Sequence, residues 1–356
     1  MTLNIAIIGA GIAGITAART LAKAGHHVHV FEKSRGAGGR MSTRDTAFGT
    51  FDHGTQYFTV RDPRFSLALQ TVPGTIDICR PWSANAVRVL DPLGHVFEAA
   101  RPSKDAHFVG TPGMNNLARH WAAPLGDSVT YQTRVDRLER NAKGLWTLHT
   151  THTSANFKET TRKHAGFDHV LLAIPSVQAA QLLRQSGKAA ASENWLHAMD
   201  NVKVAPCWTM MLAFPNAAQP NLHIGPQWNA ARSTHHRIAW LARESSKPGR
   251  GQIERWTVQA SADWSQEHLE DSDARVQAKL LRAFTELTGI RAEPSHSAVH
   301  RWRYAKTLKP LGVSHQYNPA NGLGTCGDWH LGHRVEDAFV SGLELALAVC
   351  QSTKRL

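Results

Sequence analysis

The 356-residue sequence predicts an α/β protein, a Rossmann-like nucleotide-binding domain with a mixed α+β domain interleaved in it. Three observations predict it. Residues 3–33 run as apolar strand, glycine turn, helix and alternating strand, the length of one βαβ unit. Two further pieces of the same kind stand far down the chain: "DHVLLAIP" (Asp168–Pro175), and "NGLGTCGDWH" (Asn321–His330) with a closing helix from about Val335. Between them the pattern changes to strand-like pieces and one amphipathic helix. Residues 1–60, 105–175 and 320–356 are therefore expected to form a discontinuous cofactor domain, and 61–104 and 176–319 a substrate domain.

Each element has its own reason. "LNIAII" (residues 3–8) is a short apolar run ending in glycine, as a buried parallel strand requires. From Ile12 to Ala24 the apolar residues Ile12, Ile15, Ala18 and Leu21/Ala22 recur at helical spacing until Gly25. His27–Lys33 alternates like a strand. Pro112–Ala122 predicts a helix, followed by strands in "VTYQTRVDRLER" and "GLWTLHT" and a polar hairpin loop over residues 150–166. "WTMMLAF", "RIAWLAR" and "RWTVQAS" predict strands of the inserted domain. Val276, Leu280, Ala283/Phe284 and Leu287 place one apolar face on a helix. No internal repeat is present.

Composition narrows the function. With 42% hydrophobic and 19% charged residues the chain is globular, not disordered. Its formal charge of +12 favours an anionic partner. No run of five Lys/Arg, zinc-finger spacing or regular aromatic platform points to nucleic acid, so an anionic small molecule is the expected partner. Four scattered cysteines without CxxC spacing suit a reduced, cytoplasmic setting. The 21 histidines show no ligand spacing, and no metal is expected. The most apolar late segment, Val340–Cys350, is interrupted by Gly342 and Glu344, and the opening segment lacks the basic start of a signal peptide; no membrane partner is expected. GxSxG, HExxH and Walker motifs are absent.

The chemistry lies in the glycines. Gly9, Gly11 and Gly14 form GxGxxG after a strand and at the start of a helix, with Ala13 in its first turn. The helix N-terminus adds partial positive charge for a pyrophosphate. Glu32 ends the second strand 23 residues after Gly9, where a carboxylate accepts hydrogen bonds from an adenosine ribose; Lys33 follows it. "GLGTCG" (Gly322–Gly327) matches the same pattern without a helix directly behind it, so context carries the first copy. A second cluster, Gly36, Gly38 and Gly39, is studded with Arg35, Arg40 and Arg44 and leads into Met41. An NAD-only domain has no use for such a loop. An elongated FAD passing the second strand does.

"GAGIAG…FEKSRGAGGRM" resembles the flavin amine oxidase superfamily. More narrowly, "GRMSTR", "GTFDHGTQYFTVRDPRF", "WLARESSKPGR", "HRWRYA" and "CGDW" resemble bacterial renalase-like FAD-dependent oxidoreductases, from about residue 3 to residue 350. The resemblance implies a cofactor domain of the p-hydroxybenzoate hydroxylase-like type with non-covalent FAD. It implies Glu32 at the adenosine ribose, Arg40 with the Gly38 and Gly39 backbone by the pyrophosphate, and the Val135 backbone at the adenine. Asp328 would hold the ribityl or pyrophosphate region, and the helix from Val335 would aim its N-terminus at the flavin's pyrimidine edge. Gln56 and Tyr57 become flavin-face neighbours with Trp302; Tyr57 or Phe58 reads equally well as core. His53 is a catalytic base or a hydrogen-bonded structural group. Trp302, Tyr304 and Trp329 line an aromatic cleft or simply pack. Lys306 lacks the local motif of an amine-oxidase lysine, and Cys326 is read as a buried strand residue.

Three functions follow. The first is an oxidase that takes a hydride from a dihydronicotinamide isomer of NAD(P)H (the 2- or 6-dihydro form), returns NAD(P)+ and reduces O2 to hydrogen peroxide. Arg243, Arg250 and Arg301 or Arg303 are its candidate phosphate partners, each also readable as a solvated arginine. The second is an amine oxidase acting on a primary or secondary amine; the third is a flavin-binding redox sensor without turnover. Oligomeric state is not legible.

Overall fold

The computed structural model describes residues 1–83, 87–98, 105–187, 193–215 and 228–354. The strand Asn4–Ile8 lies between His27–Phe31 and His169–Leu172, parallel to both, with its last four residues buried. Alternate side chains of a strand point to opposite faces, so this one packs both ways. Ile5 and Ile7 face the helices Ile12–Lys23 and Val335–Lys354. Ala6 and Ile8 face an antiparallel three-stranded sheet through Leu138, Trp146 and Leu148. The result is three layers: helices, a six-stranded sheet and a smaller sheet.

The six strands run in the order Gln316–Asn318, Leu323–Thr325, His169–Leu172, Asn4–Ile8, His27–Phe31, Val129–Thr130. Only the first is antiparallel to its neighbour. Both ends of the chain thus build one sheet. The two helices on its outer face meet closely at Gly342, where a Cβ would lie 2.2 Å from the Ala13 carbonyl oxygen. No described helix is long and apolar enough to cross a membrane.

The second sheet has seven strands: His296–Lys309, Lys203–Phe214, Glu254–Ala260, Ile238–Arg243, Ala230–Ser233, Arg88–Leu90 and Val96–Glu98. Trp208, Met210 and Leu212 pack one face against the helix Asp273–Thr288, which buries Val276, Leu280, Ala283, Phe284 and Leu287 as its periodicity predicts. That helix is capped by the Ser272 hydroxyl and stopped by Gly289 in the left-handed region, φ +72°. Met211 and Ala213 turn the other face toward Phe51.

Two expectations change. Residues 150–166 are not a loop: Trp146–Thr153 and Glu159–Phe167 pair across their length. The outer strand is mostly exposed and carries no apolar alternation; pairing with its neighbour, with His164 and Phe167 set against the Phe31 ring, makes it a strand. The layer around the six-stranded sheet also continues past residue 175, because Ala179, Leu182 and Leu183 of helix Ser176–Gln185 pack into its core. The expected boundary at 104 falls outside the described residues.

Candidate functional site

Between the two sheets lies a cleft of about 1730 Å³, running from the strand ends at Gly9 and Glu32 to the edge strand His296–Lys309. That exceeds the ~300–1,000 Å³ of an ordinary small-molecule pocket and leaves room for an extended cofactor together with a substrate.

Its floor is the first glycine turn. Gly14 lets helix Ile12–Lys23 settle on the turn: a Cβ there would lie 2.0 Å from the Gly9 carbonyl oxygen. Gly11 is different, for a Cβ would meet nothing within 4 Å and would project into open space. The helix behind it has neither a side-chain cap nor an acid in its first turn, so its partial positive charge is left for a ligand. The second glycine cluster is stitched to the first. Gly38 N–H donates to the Ala10 carbonyl at 2.9 Å, and Gly11 and Gly38 form a parallel bridge. Met41 and Ala13 are buried on the cleft wall beside them.

Glu32 is buried there too, its carboxylate held by the Ala10 N–H at 2.7 Å and the Ser34 N–H at 2.8 Å, with the exposed Lys33 alongside. Val135 reaches the cleft just before a bulge in its strand. At the start of the C-terminal helix Val335 borders the cleft, whereas both first-turn acids point elsewhere. Glu336 accepts from the Asp62 N–H at 2.9 Å, and Asp337 from the Arg334 N–H at 2.9 Å. The uncapped turn, the open cradle over Gly11 and the buried acid fit an FAD.

Arg40 and Asp328 are brought together in a way the sequence does not announce. The guanidinium holds the carboxylate with two hydrogen bonds, Nη1 to Oδ2 at 2.9 Å and Nη2 to Oδ1, and Thr307 Oγ1 adds a third at 3.3 Å. Expected to serve the cofactor separately, the two side chains bind each other across the cleft wall.

Of the three expected flavin-face residues, Trp302 lines the cleft and Gln56 and Tyr57 do not. Gln56 is buried the other way, Nε2 donating to the carbonyls of Asp52 and Gly54 and Oε1 accepting from Lys247 Nζ at 3.3 Å. Tyr57 packs on His107, 4.1 Å between ring centroids, and on Trp240. The loop Asp52–Gln56 turns His53 and Thr55 outward and Asp52 and Gln56 inward. His53 stacks on Trp302 at 5.5 Å, its carbonyl accepts from Trp302 Nε1 at 2.8 Å, and His300 meets both rings edge-on. Burial, then His300 and Arg44, push the His53 imidazole down to about 3; burial, then Arg44, push His300 down to about 4. At neutral pH both are uncharged.

Behind that loop lies a cluster that sequence reasoning missed. Asp52, Glu244, Lys247 and Arg250 are all without solvent exposure. Arg250 bonds Asp52 at 2.6 Å and the Gly110 carbonyl at 2.8 Å, so it is no phosphate partner. Arg243 pairs with Glu254 at 2.8 Å over the Trp256 ring and also lies off the cleft. Arg301 and Arg303 do line the cleft, sharing the exposed Glu270. Lys306 is exposed and off the wall, Trp329 is buried with Nε1 on the Ile174 carbonyl, and Tyr304 borders the cleft. Cys326 is fully buried, its thiol pushed up to about 12 by burial. The signal for the ionic cluster was present as acids and bases in "DHG" and "ESSKPGR", but nothing local distinguishes a buried charge from a solvated one.

Fold and cleft together define an α/β dinucleotide-binding protein with a second sheet closing the ligand side. Residues 7–70 match the model of the NAD(P)-binding Rossmann-like domain, and residues 77–350 that of flavin containing amine oxidoreductases. The chain belongs to the flavin-containing amine oxidoreductase family, whose members are FAD-dependent enzymes acting on small molecules. Renalase of Mus musculus is 22% identical over 321 residues, covering 86% of each chain. A 4,4'-diapophytoene desaturase of Staphylococcus haemolyticus is 45% identical over 109 residues, 31% of this chain and 20% of that one. The solved cyclohexylamine oxidase from Brevibacterium oxydans IH-35A shares the fold with a TM-score of 0.73 at 14% identity, over 100% of both chains.

Proposed function

We propose that this enzyme is an oxidase of dihydronicotinamide isomers of NAD(P)H, the 2- or 6-dihydro form, giving NAD(P)+, with FAD held non-covalently and O2 as electron acceptor. The observation that carries it is the charge of the cleft. Nine Lys or Arg line it against four Asp or Glu, more than the two phosphates of an FAD neutralise. A second, anionic ligand suits that surplus, and an ammonium substrate does not. Renalase of Mus musculus is matched over 86% of its length, which supports the same reading.

In this reading Gly9, Gly11, Ala13 and Gly14 offer the first turn to the pyrophosphate, and Gly38, Gly39 and Met41 continue the cradle. Glu32 and Lys33 take the ribose, the Val135 backbone the adenine, and Val335 opens the C-terminal helix toward the flavin ring. Arg40 and Asp328, locked together, hold the cradle's shape. Segments 1–60, 105–175 and 320–356 carry most of this cofactor side, and the seven-stranded sheet supplies the substrate wall. When bound, FAD supplies a two-electron acceptor that takes a hydride and passes the electrons to dioxygen as hydrogen peroxide. The dihydropyridine becomes aromatic on losing hydride, so no side chain need remove a proton. His53 and His300, being neutral, add no charge of their own beside a ring that becomes positive, and Trp302 gives it an aromatic neighbour.

Anaerobic mixing of the yellow protein with 2- and 6-dihydro isomers is expected to bleach the flavin, while cyclohexylamine and putrescine leave it oxidised. Bleaching by the amines alone would make the protein an amine oxidase, and bleaching by none would favour the sensor. The bleaching rate is also expected to stay flat from about pH 5 to 8, because imidazoles titrating at about 3 and about 4 remain neutral throughout. A step centred near the ordinary histidine value of ~6.5 would contradict this wall chemistry.

A further inference from the structure

Arg44 stands in the short hairpin Arg44–Thr46/Gly49–Phe51, directly opposite Phe51, and lines the cleft. The sequence groups it with Arg35 and Arg40 as a pyrophosphate residue. In the structure its strand partner Phe51 stacks on His296 at 5.6 Å, and the charge of Arg44 is felt by His53, His296 and His300. Those rings are close-packed, His53 lying 4.8 Å from His300 and His300 4.5 Å from Trp302.

Other arginines of the cleft are already engaged or lie in solvent. Arg40 is held by Asp328, Arg134 by Asp136, and Arg301 and Arg303 by Glu270. Arg35, Arg119 and Arg334 are exposed. Among the described residues Arg44 alone is a half-buried cleft arginine with no carboxylate partner. Its neighbour Asp45 also borders the cleft but is exposed and makes no ion pair with it. A guanidinium partly withdrawn from water and without a carboxylate is favoured by a ligand that supplies the negative charge, and its planar fork matches a phosphate.

We propose that Arg44 is the substrate's anion anchor, binding a phosphate of the dihydronicotinamide nucleotide and so holding its ring against the His53–His300–Trp302 wall. The proposal rests on the dihydronicotinamide reading above and adds the residue that selects phosphorylated forms over the bare riboside. It is a residue for recognition, with no proton or electron to transfer.

The test uses the FAD-loaded enzyme and its R44A, R44Q and R44K variants, each first checked for flavin stoichiometry. Inorganic pyrophosphate is titrated against the flavin absorbance, and KM and kcat are compared for the 6-dihydro isomers of nicotinamide mononucleotide and nicotinamide riboside. Expected results are about 10- to 100-fold weaker pyrophosphate binding and a similar rise in KM for the mononucleotide in R44A and R44Q, the range for a lost charge-assisted contact. The riboside should be unaffected and R44K should recover part of the loss. Loss of flavin from both R44A and R44Q, equal effects on mononucleotide and riboside, or pyrophosphate binding that ignores Arg44 would each overturn the anchor. If no dihydronicotinamide bleaches the wild type while pyrophosphate binding still depends on Arg44, the substrate reading fails and the anion site stands.

Discussion

Asp52→Ala is expected to destabilise the protein by about 3–5 kcal/mol in equilibrium denaturation, the cost of leaving buried charges without their partner. The Asp52 side chain is fully buried and accepts from Lys247 at 3.1 Å, Arg250 at 2.6 Å, the Thr43 hydroxyl at 2.7 Å and the Met114 N–H at 2.9 Å. Removing it leaves two enclosed cations facing Glu244 alone. Burial by itself would raise the Asp52 carboxyl, but Lys247 and Arg250 outweigh burial and hold it down at about 2. A carboxyl depressed in the folded state stabilises fully above its unfolded value near 3.8, and this support is lost as the pH falls through about 2. The wild type should therefore lose stability between about pH 4 and 2, and Asp52→Asn should flatten that part of the curve. Glu270→Ala is the control: its carboxylate sits in solvent and its removal should leave stability nearly unchanged. If the two variants proved alike, the buried cluster would not be holding the Asp52 loop to the Glu244–Arg250 segment as its hydrogen bonds describe.

The second large effect separates two glycines of one motif. Gly14→Ala drives a methyl to 2.0 Å from the Gly9 carbonyl oxygen and 3.0 Å from the Ala173 Cβ, so helix Ile12–Lys23 must lift off the sheet. A loss of about 3 kcal/mol or more is expected, with little flavin retained at purification. Gly11→Ala meets nothing within 4 Å, and φ of −72° suits alanine. Its apoprotein should unfold within about 1 kcal/mol of wild type while flavin affinity falls, since the new methyl fills the cradle. Thermal melts of apoprotein and flavin content of the purified proteins read the two effects apart. Equal losses of apoprotein stability would mean that Gly11 also serves packing.

Both results bear on what a sequence can reveal. Residues 3–33 were legible because their signals are local: strand alternation, helical spacing and glycine conformations are set within a turn or two of chain. Glu32 followed from its distance to Gly9, and the structure places it on the cleft. The helix Asp273–Thr288 was legible for the same reason, down to its buried residues. The outer strand Glu159–Phe167 was not, because its support, pairing with a neighbour and ring contacts to Phe31, comes from elsewhere in the chain.

The site divides along the same line. By itself the sequence determined the cofactor half: a glycine-rich βαβ unit, a second glycine loop and an acid at the strand end, each specified by backbone geometry close at hand. Tertiary structure alone decided the substrate half. It paired Arg40 with Asp328 across 288 positions, sank Arg250 onto Asp52 across 198, and turned Gln56 inward so that His53 faces the cleft. It also left Arg44 without a carboxylate among the described residues. Whether a charged side chain is paired, buried or free depends on which distant segment packs against it, and no local pattern encodes that.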